Sequence, residues 1–202
     1  MTNKTDTLTD KELVEKVLSG DTNAFAAIIK NTEALVAQIV FKMVDNIEDR
    51  RDLAQDIYLK AYKNLAGFRF GAKLSTWIAQ VSYNTCLDYL RKKKLVLQDA
   101  VHGGYDGDED MPGIANQYSV ELSLNEDKDI FRKELSGILK AEIDRLPVIY
   151  KTLITLYHNE EMSYNEIAQI TQLPEGTLKN YLFRARKILK NRLLQQYKKE
   201  DL

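Results

Sequence analysis

The chain has 202 residues, with Lys+Arg 29 against Asp+Glu 30, a net formal charge of -1 and 44% hydrophobic residues. That composition supports one or two packed domains, and 9 Gly with 3 Pro exclude a collagen-like chain. A lone cysteine, Cys86, excludes a disulfide-stapled secreted scaffold and suits a reducing compartment.

No run approaches the ~20 uninterrupted apolar residues that span a bilayer. Residues Met1 to Asp10 carry no apolar signal-peptide segment. A cytoplasmic protein without membrane insertion is expected.

The elements all read as helix. Thr9-Asp10-Lys11-Glu12 is a capping box, followed by the stripe Leu13, Val14, Val17 and Leu18, with Gly20 as the stop. Asp21 caps a second helix that carries Phe25, Ile28, Ile29, Leu35, Val36, Ile39, Val40 and Met43. A third is expected from about Glu48 to Leu65. A short loop, Ala66 to Leu74, contains Gly67 and Gly71, and a fourth helix follows from Thr76 to about Leu95. From Gln98 to Asp127 the amphipathic period stops, and His102-Gly103-Gly104 and Pro112-Gly113 interrupt the chain. This stretch reads as a flexible, self-repelling acidic linker. Helices resume at Ile130–Arg145, Pro147–His158, Ser163–Ile170 and Pro174–Tyr197, with both prolines suited to first helical positions. The expected fold is all-α. Two small helical domains, 8–97 and 130–197, are joined by a linker at 98–129.

The near-zero net charge hides segregation. Lys179, Arg184, Arg186, Lys187, Lys190, Arg192, Lys198 and Lys199 fall in a span without an acid, and Arg91 to Lys94 are four consecutive cations. Asp99 to Asp129 holds acids and a single lysine, Lys128. A single basic run is usually a solvated face. Two such blocks, each ending a helical pattern, point to polyanion contacts. Asp106 to Asp110 lacks the spacing and closing Glu of a calcium loop, so neither metal nor cofactor is expected.

Ser163-Tyr164-Asn165-Glu166 is a second capping box. Ile167, Ala168 and Ile170 are the expected buried face of its short helix. Thr171-Gln172-Leu173 forms the turn, and a longer helix follows. On that helix Leu178, Leu182 and Ile188 face a core, while Lys179, Asn180, Phe183, Arg184 and Lys187 lie on the other side. Cations neutralise phosphate or meet guanine, Asn pairs with adenine and Phe meets a thymine methyl. Free amides near Glu175 to Thr177 suit a phosphate. The rhythm of short helix, tight turn and long helix favours a DNA-binding helix-turn-helix over a basic amphipathic bundle helix.

In the first half, Asp52 and Asp56 share a helix face with Gln55 beside them. No His, Cys or second acidic cluster stands at a spacing that would make them catalytic, so a face that docks on a basic protein surface is the better reading. Phe68-Arg69-Phe70 precedes a helix on which Trp77, Tyr83 and Tyr89 mix with Gln80, Asn84 and Asp88. Flat rings beside cations and amides suit unstacked bases, although Trp77 at helical spacing also suits a core. No nucleophile–base pair and no Gly-rich phosphate loop is present, so the chain is not read as an enzyme. Cys86 reads as a small buried side chain rather than a redox sensor.

Asp52-Leu53-Ala54-Gln55-Asp56, Phe68-Arg69, Ser75-Thr76-Trp77-Ile78 and Asn84 to Lys92 closely resemble the second domain of bacterial RNA polymerase sigma factors of the extracytoplasmic-function (ECF) type. Leu146-Pro147, Met162 to Ala168, Leu173 to Lys179 and Arg184-Ala185-Arg186-Lys187 resemble their fourth domain. The likeness covers about Asp10 to Leu95 and Ile130 to Gln195, in the family's order, with a linker in place of the third domain. It implies a factor that directs core RNA polymerase to the −10 and −35 elements of promoters.

By that resemblance Asp52, Gln55 and Asp56 dock on the β′ clamp helices. Phe68, Lys73, Gln80, Asn84 and Asp88 open and read the −10 element, and Arg91, Lys92 and Lys93 hold its backbone. Thr177, Lys179, Asn180, Phe183, Arg184 and Lys187 read the −35 element. The β flap, promoter DNA and a possible anti-sigma factor are the other implied partners. The acidic linker would imitate nucleic acid in the RNA exit path. The competing reading, a stand-alone dimeric helix-turn-helix regulator on a palindromic site, leaves the Asp52-Gln55-Asp56 face without a role.

Overall fold

The computed structural model describes residues 9–100 and 128–196, with side chains over 9–94 and 135–195. The described residues form helices and no strand: α1 (Asp10–Leu18), α2 (Thr22–Met43), α3 (Ile47–Asn64), a 3-10 turn (Leu65–Gly67), α4 (Leu74–Ala100), α5 (Lys128–Asp144), α6 (Val148–His158), α7 (Tyr164–Thr171) and α8 (Glu175–Gln196). The central part of the expected linker, 101–127, lies outside the described residues. At its edges α4 runs to Ala100 and α5 begins at Lys128, each a few residues inside the stretch expected to be irregular.

Local chemistry accounts for most helix ends. The Thr9 hydroxyl accepts from the Glu12 amide at 3.3 Å, and the Thr9 amide donates to the Glu12 carboxylate at 2.7 Å, which pairs two donors that α1 would otherwise leave open. After α1, Gly20 takes φ +100°. Its amide donates to Val17 and the Asp21 amide donates to Lys16, both at 3.0 Å. That left-handed turn is open to glycine without a steric penalty. Asp21 and Asn46 cap α2 and α3 through their side chains. Pro147 is the N-cap of α6, and Pro174 immediately precedes α8, so each lies one residue before the helix it was expected to begin. Their carbonyls accept the opening bonds from Lys151 and Leu178 at 3.0 Å. The start of α4 is set from afar: the Asp10 carboxylate accepts from the Leu74 amide at 2.8 Å.

α2 packs against α1, α3, α4 and α6. Ile28, Val36, Ile39 and Val40 are buried along it, and Ile57, Ala61 and Ile78 meet them from α3 and α4. α2 is long and apolar enough to cross a membrane by length and composition alone. Its packing on four helices explains that apolarity within the fold. In the second half α8 packs on α5, α6 and α7. Leu178, Leu182 and Ala185 lie at i, i+4 and i+7 against Ile167 and Ile170, all with no exposure. Ala168, expected at the buried crossing, is only half-buried, and Ala185 is the fully buried alanine. Ile188, expected in the core, is half-buried, while Leu189 is the buried residue at that level.

The two halves are packed together, which the sequence reading did not anticipate. α7 lies against α4 and α6 against α2, within one continuous apolar cluster. Ion pairs edge the seam: Lys42–Asp144 at 2.5 Å, Lys73–Glu166 at 2.8 Å and Lys151–Asp45 at 3.5 Å.

The α7–α8 turn depends on Gln172, which adopts φ 59° and ψ 20°. Its side-chain amide donates to the Gln169 carbonyl at 2.7 Å. An L-residue in this conformation carries roughly 1 kcal/mol of strain that glycine avoids. Gln172→Gly therefore raises the unfolding free energy by about 0.5–1 kcal/mol in urea denaturation, despite the added freedom of the unfolded chain.

Candidate nucleic-acid interface

On α3 the residues Asp52 and Gln55 are exposed, and Asp56 is half-buried beside Lys60, with which it pairs at 2.8 Å. The acidic face borders a groove of about 640 Å³ between α2 and α3, lined by Val40, Phe41, Ile47, Arg50, Arg51 and Asp52. Phe41 is 53% exposed and Ile47 76% exposed, an unusual display of large apolar side chains. The Arg50 guanidinium lies 4.7 Å from the Phe41 ring centroid and donates to the Val44 carbonyl at 2.6 Å. Sequence reasoning missed Phe41 and Ile47. The available signal was that Phe41 falls on the side of α2 opposite the buried stripe.

The loop before α4 is built on three rings. Phe68 stacks at a tilt between Phe70, at 4.8 Å, and Trp77, at 5.3 Å. Phe68, expected to meet DNA, is buried and supports the loop from below. The exposed ring is Phe70, held at φ 56°. A cavity of about 340 Å³ opens here. Phe68, Arg69, Thr76, Trp77 and Gln80 line one side, and Gln169 and Gln172 from the second half line the other. Thr76 is 1% exposed, and its hydroxyl has no hydrogen-bond partner among the described residues. Lys73, the residue after Ala72 of this lining, is exposed and paired with Glu166.

Further along α4, Asn84 and Asp88 are exposed, and Arg91 pairs with Asp88 at 3.6 Å. Arg91, Lys92 and Lys93 are all exposed. Lys93 donates to the Tyr89 hydroxyl at 3.1 Å, and Tyr89 donates to Asp49 of α3 at 2.5 Å. The −10 candidates thus form two groups. Phe68 and Gln80 line the cavity, with Lys73 next in sequence to its Ala72, and Asn84, Asp88 and Arg91 continue along the open face of α4.

On α8 the residues Asn180, Phe183 and Lys187 form an exposed stripe opposite the buried Leu178, Leu182, Ala185 and Leu189. Arg184 and Thr177 are half-buried at its edge. Lys179 turns toward α7. It pairs with Glu175 at 3.6 Å and lies 5.5 Å from the Tyr164 ring centroid. Tyr164 stacks on Tyr157 at 5.0 Å, and Arg186 lies 5.2 Å from the Tyr157 ring centroid. Arg186 also meets the His158 ring nitrogen at 3.3 Å. Burial, with help from Arg186, pushes the His158 imidazole below its ordinary pKa. The sequence reading did not foresee this ladder of two cations and two rings, because its rings come from different helices. A second groove, about 560 Å³, lies between α5, α6 and α8, with Leu139, Ile143, Ile154 and Leu189 among its lining.

Two titrations test this geometry. The Lys73 ammonium first, then the Ser163 amide and hydroxyl, hold the Glu166 carboxyl at about 2. A folded-state value below the unfolded one stabilises the fold above pH ~4.5, and this contribution fades as pH falls toward 2. Carboxyl NMR therefore shows Glu166 still ionised at pH 3.5, below the ordinary glutamate range. Burial pushes the Cys86 thiol up to about 12. Cys86 has no exposure, so the folded protein resists alkylation at pH 8 and reacts once urea unfolds it.

Comparison with known proteins agrees with both halves. The family model "Sigma-70 region 2" matches residues 28–96 and "Sigma-70, region 4" matches 136–189. The ECF RNA polymerase sigma factor SigW of Bacillus subtilis is 32% identical over 184 residues, which is 91% of this chain and 96% of that protein. The ECF RNA polymerase sigma-E factor of Escherichia coli K12 is 31% identical over 191 residues, covering 92% of this chain and 95% of its own. The fold matches CnrH in complex with the cytosolic domain of CnrY (TM-score 0.60, 18% identity, 93% of this chain and 99% of that one). It also matches the sigma factor RpoE in complex with the anti-sigma factor NepR from Bartonella quintana (TM-score 0.60, 22% identity, 85% and 96%). Region 2 and region 4 together match more than half of the chain, and relatives above 30% identity span nearly all of it, so the chain belongs to the ECF RNA polymerase sigma factors, which direct promoter-specific initiation of transcription.

Proposed function

We propose that this sigma factor divides its work among three surfaces. Asp52, Gln55 and Asp56, with Phe41 and Ile47 as apolar anchors beside them, dock on the β′ clamp helices of core RNA polymerase. The exposed apolar groove between α5, α6 and α8 takes the β flap. The cavity bordered by Thr76, Trp77 and Gln80 captures an extruded base of the −10 element, Lys73 meets the adjoining phosphate, and Asn84, Asp88 and Arg91 to Lys93 follow the strand. Asn180, Phe183, Arg184 and Lys187 read the −35 element in the major groove, with Thr177 at the helix start and Lys179 on the adjoining phosphates.

The observation that carries this reading is the α8 stripe. Its amide, ring and cation project together because four buried residues on the opposite side fix the rotation of the helix. The chain acts in the cytoplasm, and an anti-sigma factor is its expected antagonist. It works as a binding subunit and not as an enzyme. Strand opening draws on the free energy of base capture, since no nucleotide-hydrolysing loop is present in the sequence. A stand-alone dimeric regulator is not favoured, because such a protein has no use for the exposed acidic and apolar face on α2 and α3.

Reconstitution on a supercoiled promoter library tests the assignment: transcripts appear only when the chain and core polymerase are mixed. Lys187→Ala or Arg184→Ala weakens dependence on the −35 element by about 1–3 kcal/mol, roughly 5- to 150-fold, and leaves core binding intact. Asp52→Ala with Gln55→Ala removes pull-down of core and spares binding to −10 single strands. Equal loss of both functions in either variant would count against the division.

A further inference from the structure

Three described residues other than glycine take a positive φ: Phe70 at 56°, Glu161 at 50° and Gln172 at 59°. Two of them serve turns. Gln172 ends α7, its amide donating to the Ala168 carbonyl at 2.8 Å, and Glu161 lies in the turn closed by the Met162 amide on the Leu156 carbonyl at 3.1 Å. Phe70 has no such bond. Neither its amide nor its carbonyl joins a backbone hydrogen bond among the described residues. Glycines stand nearby at Gly67 and Gly71, yet neither takes a positive φ, and the strained conformation falls on the phenylalanine between them.

The strain holds a ring in place. Phe70 is 47% exposed, its centroid lies 4.8 Å from that of the buried Phe68, and Phe68 lies 5.3 Å from Trp77. The three rings run outward from the core and end on an open one. Its neighbours in sequence, Arg69 and Gly71, both line the base cavity, and Arg69 is itself exposed. An aromatic ring in this place is disfavoured twice, by water and by its own backbone, and strained positions of this kind cluster where a protein binds.

We propose that Phe70 is a stacking residue for the −10 strand: its outward face takes the base next to the one captured in the cavity, with Arg69 on the phosphate between the two. The inference rests on the −10 assignment above and adds a contact of different character to it. Every base has a π face, so stacking is indifferent to base identity, whereas the amides of Gln80 and Asn84 discriminate by hydrogen bonds. Phe68 holds the ring before the strand arrives, so little conformational freedom is lost on stacking. Phe70 therefore serves the opening of the duplex and not the choice of its sequence: a base lying on the ring is withheld from its own stack.

A thermodynamic cycle isolates the contact. Holoenzyme, reconstituted from the full-length chain and core polymerase, is titrated with the −10 strand of a promoter recovered from the supercoiled library, and with versions carrying an abasic nucleotide at each position in turn. Phe70→Gly removes ring and strain together, and Phe70→Tyr keeps both. Phe70→Gly should bind the intact strand about 5- to 150-fold more weakly. At one position the abasic strand should cost the wild type that same factor and cost Phe70→Gly nothing further. The loss in Phe70→Gly should be equal for all four bases at that position, and Phe70→Tyr should behave as the wild type.

Urea unfolding of the full-length chain separates a binding ring from a structural one. Phe70→Gly should unfold near the wild-type midpoint, because relief of the positive φ offsets the lost contact with Phe68. A lower midpoint, with weaker binding that carries over equally to every abasic strand, marks a structural ring and overturns the proposal. Unchanged strand affinity overturns it as well. So does a loss of core pull-down by Phe70→Gly with strand binding kept at saturating core, which would make the ring a protein-docking group. Gln80→Ala in the same cycle reads the −10 assignment separately. If Gln80 couples to a base and Phe70 to none, that assignment stands without this contact, and if neither couples, both fall.

Discussion

The Glu166 carboxylate accepts from the Ser163 amide, the Ser163 hydroxyl and the Lys73 ammonium. The first two bonds start α7 and thereby set the angle at which the helix-turn-helix is built. The third crosses to a residue 93 positions earlier. Any motion that swings α7 away from α4 must therefore release Lys73. Because the carboxylate is shared, the local geometry of the DNA-reading unit and the position of the whole second half depend on the same group.

Each half alone is small. Domains of such size bury only about 60% of the surface their unfolded chains expose, so their stability is marginal. Packing α4 on α7 and α2 on α6 gives both halves a larger common core. Yet the perimeter of that contact is charged, and Lys42 and Lys151 keep acids of the other half as partners. A wholly apolar seam would hold the halves together permanently. A polar edge lowers the cost of separation, because each freed group regains water.

Local features were legible in the sequence. The two capping boxes, the Asp21 cap, the Gly20 stop and the stripe Leu178-Leu182 all follow from the chemistry of neighbours within one or two turns, and the structure places them as expected. Features that depend on tertiary placement were not legible. The Asp10 cap on Leu74 spans 64 positions, and the ring ladder from Tyr164 to Arg186 joins three helices. That Phe68 is buried and Phe70 exposed was not legible either, because a Phe-Arg-Phe stretch carries no sign of which ring turns inward. Periodicity assigns faces to a helix, but it cannot say which buried face meets a neighbour in its own half and which meets the other half.

Asn180, Phe183 and Lys187 project from a helix whose rotation is fixed by Leu178, Leu182, Ala185 and Leu189 on its other side. The acidic and apolar face on α2 and α3 is open as well, and the buried stripe Ile28, Val36, Ile39 and Val40 fixes α2 in the same way. Each exposed surface is therefore the back of a buried one, and a core substitution that rotates either helix would displace the surface without touching it.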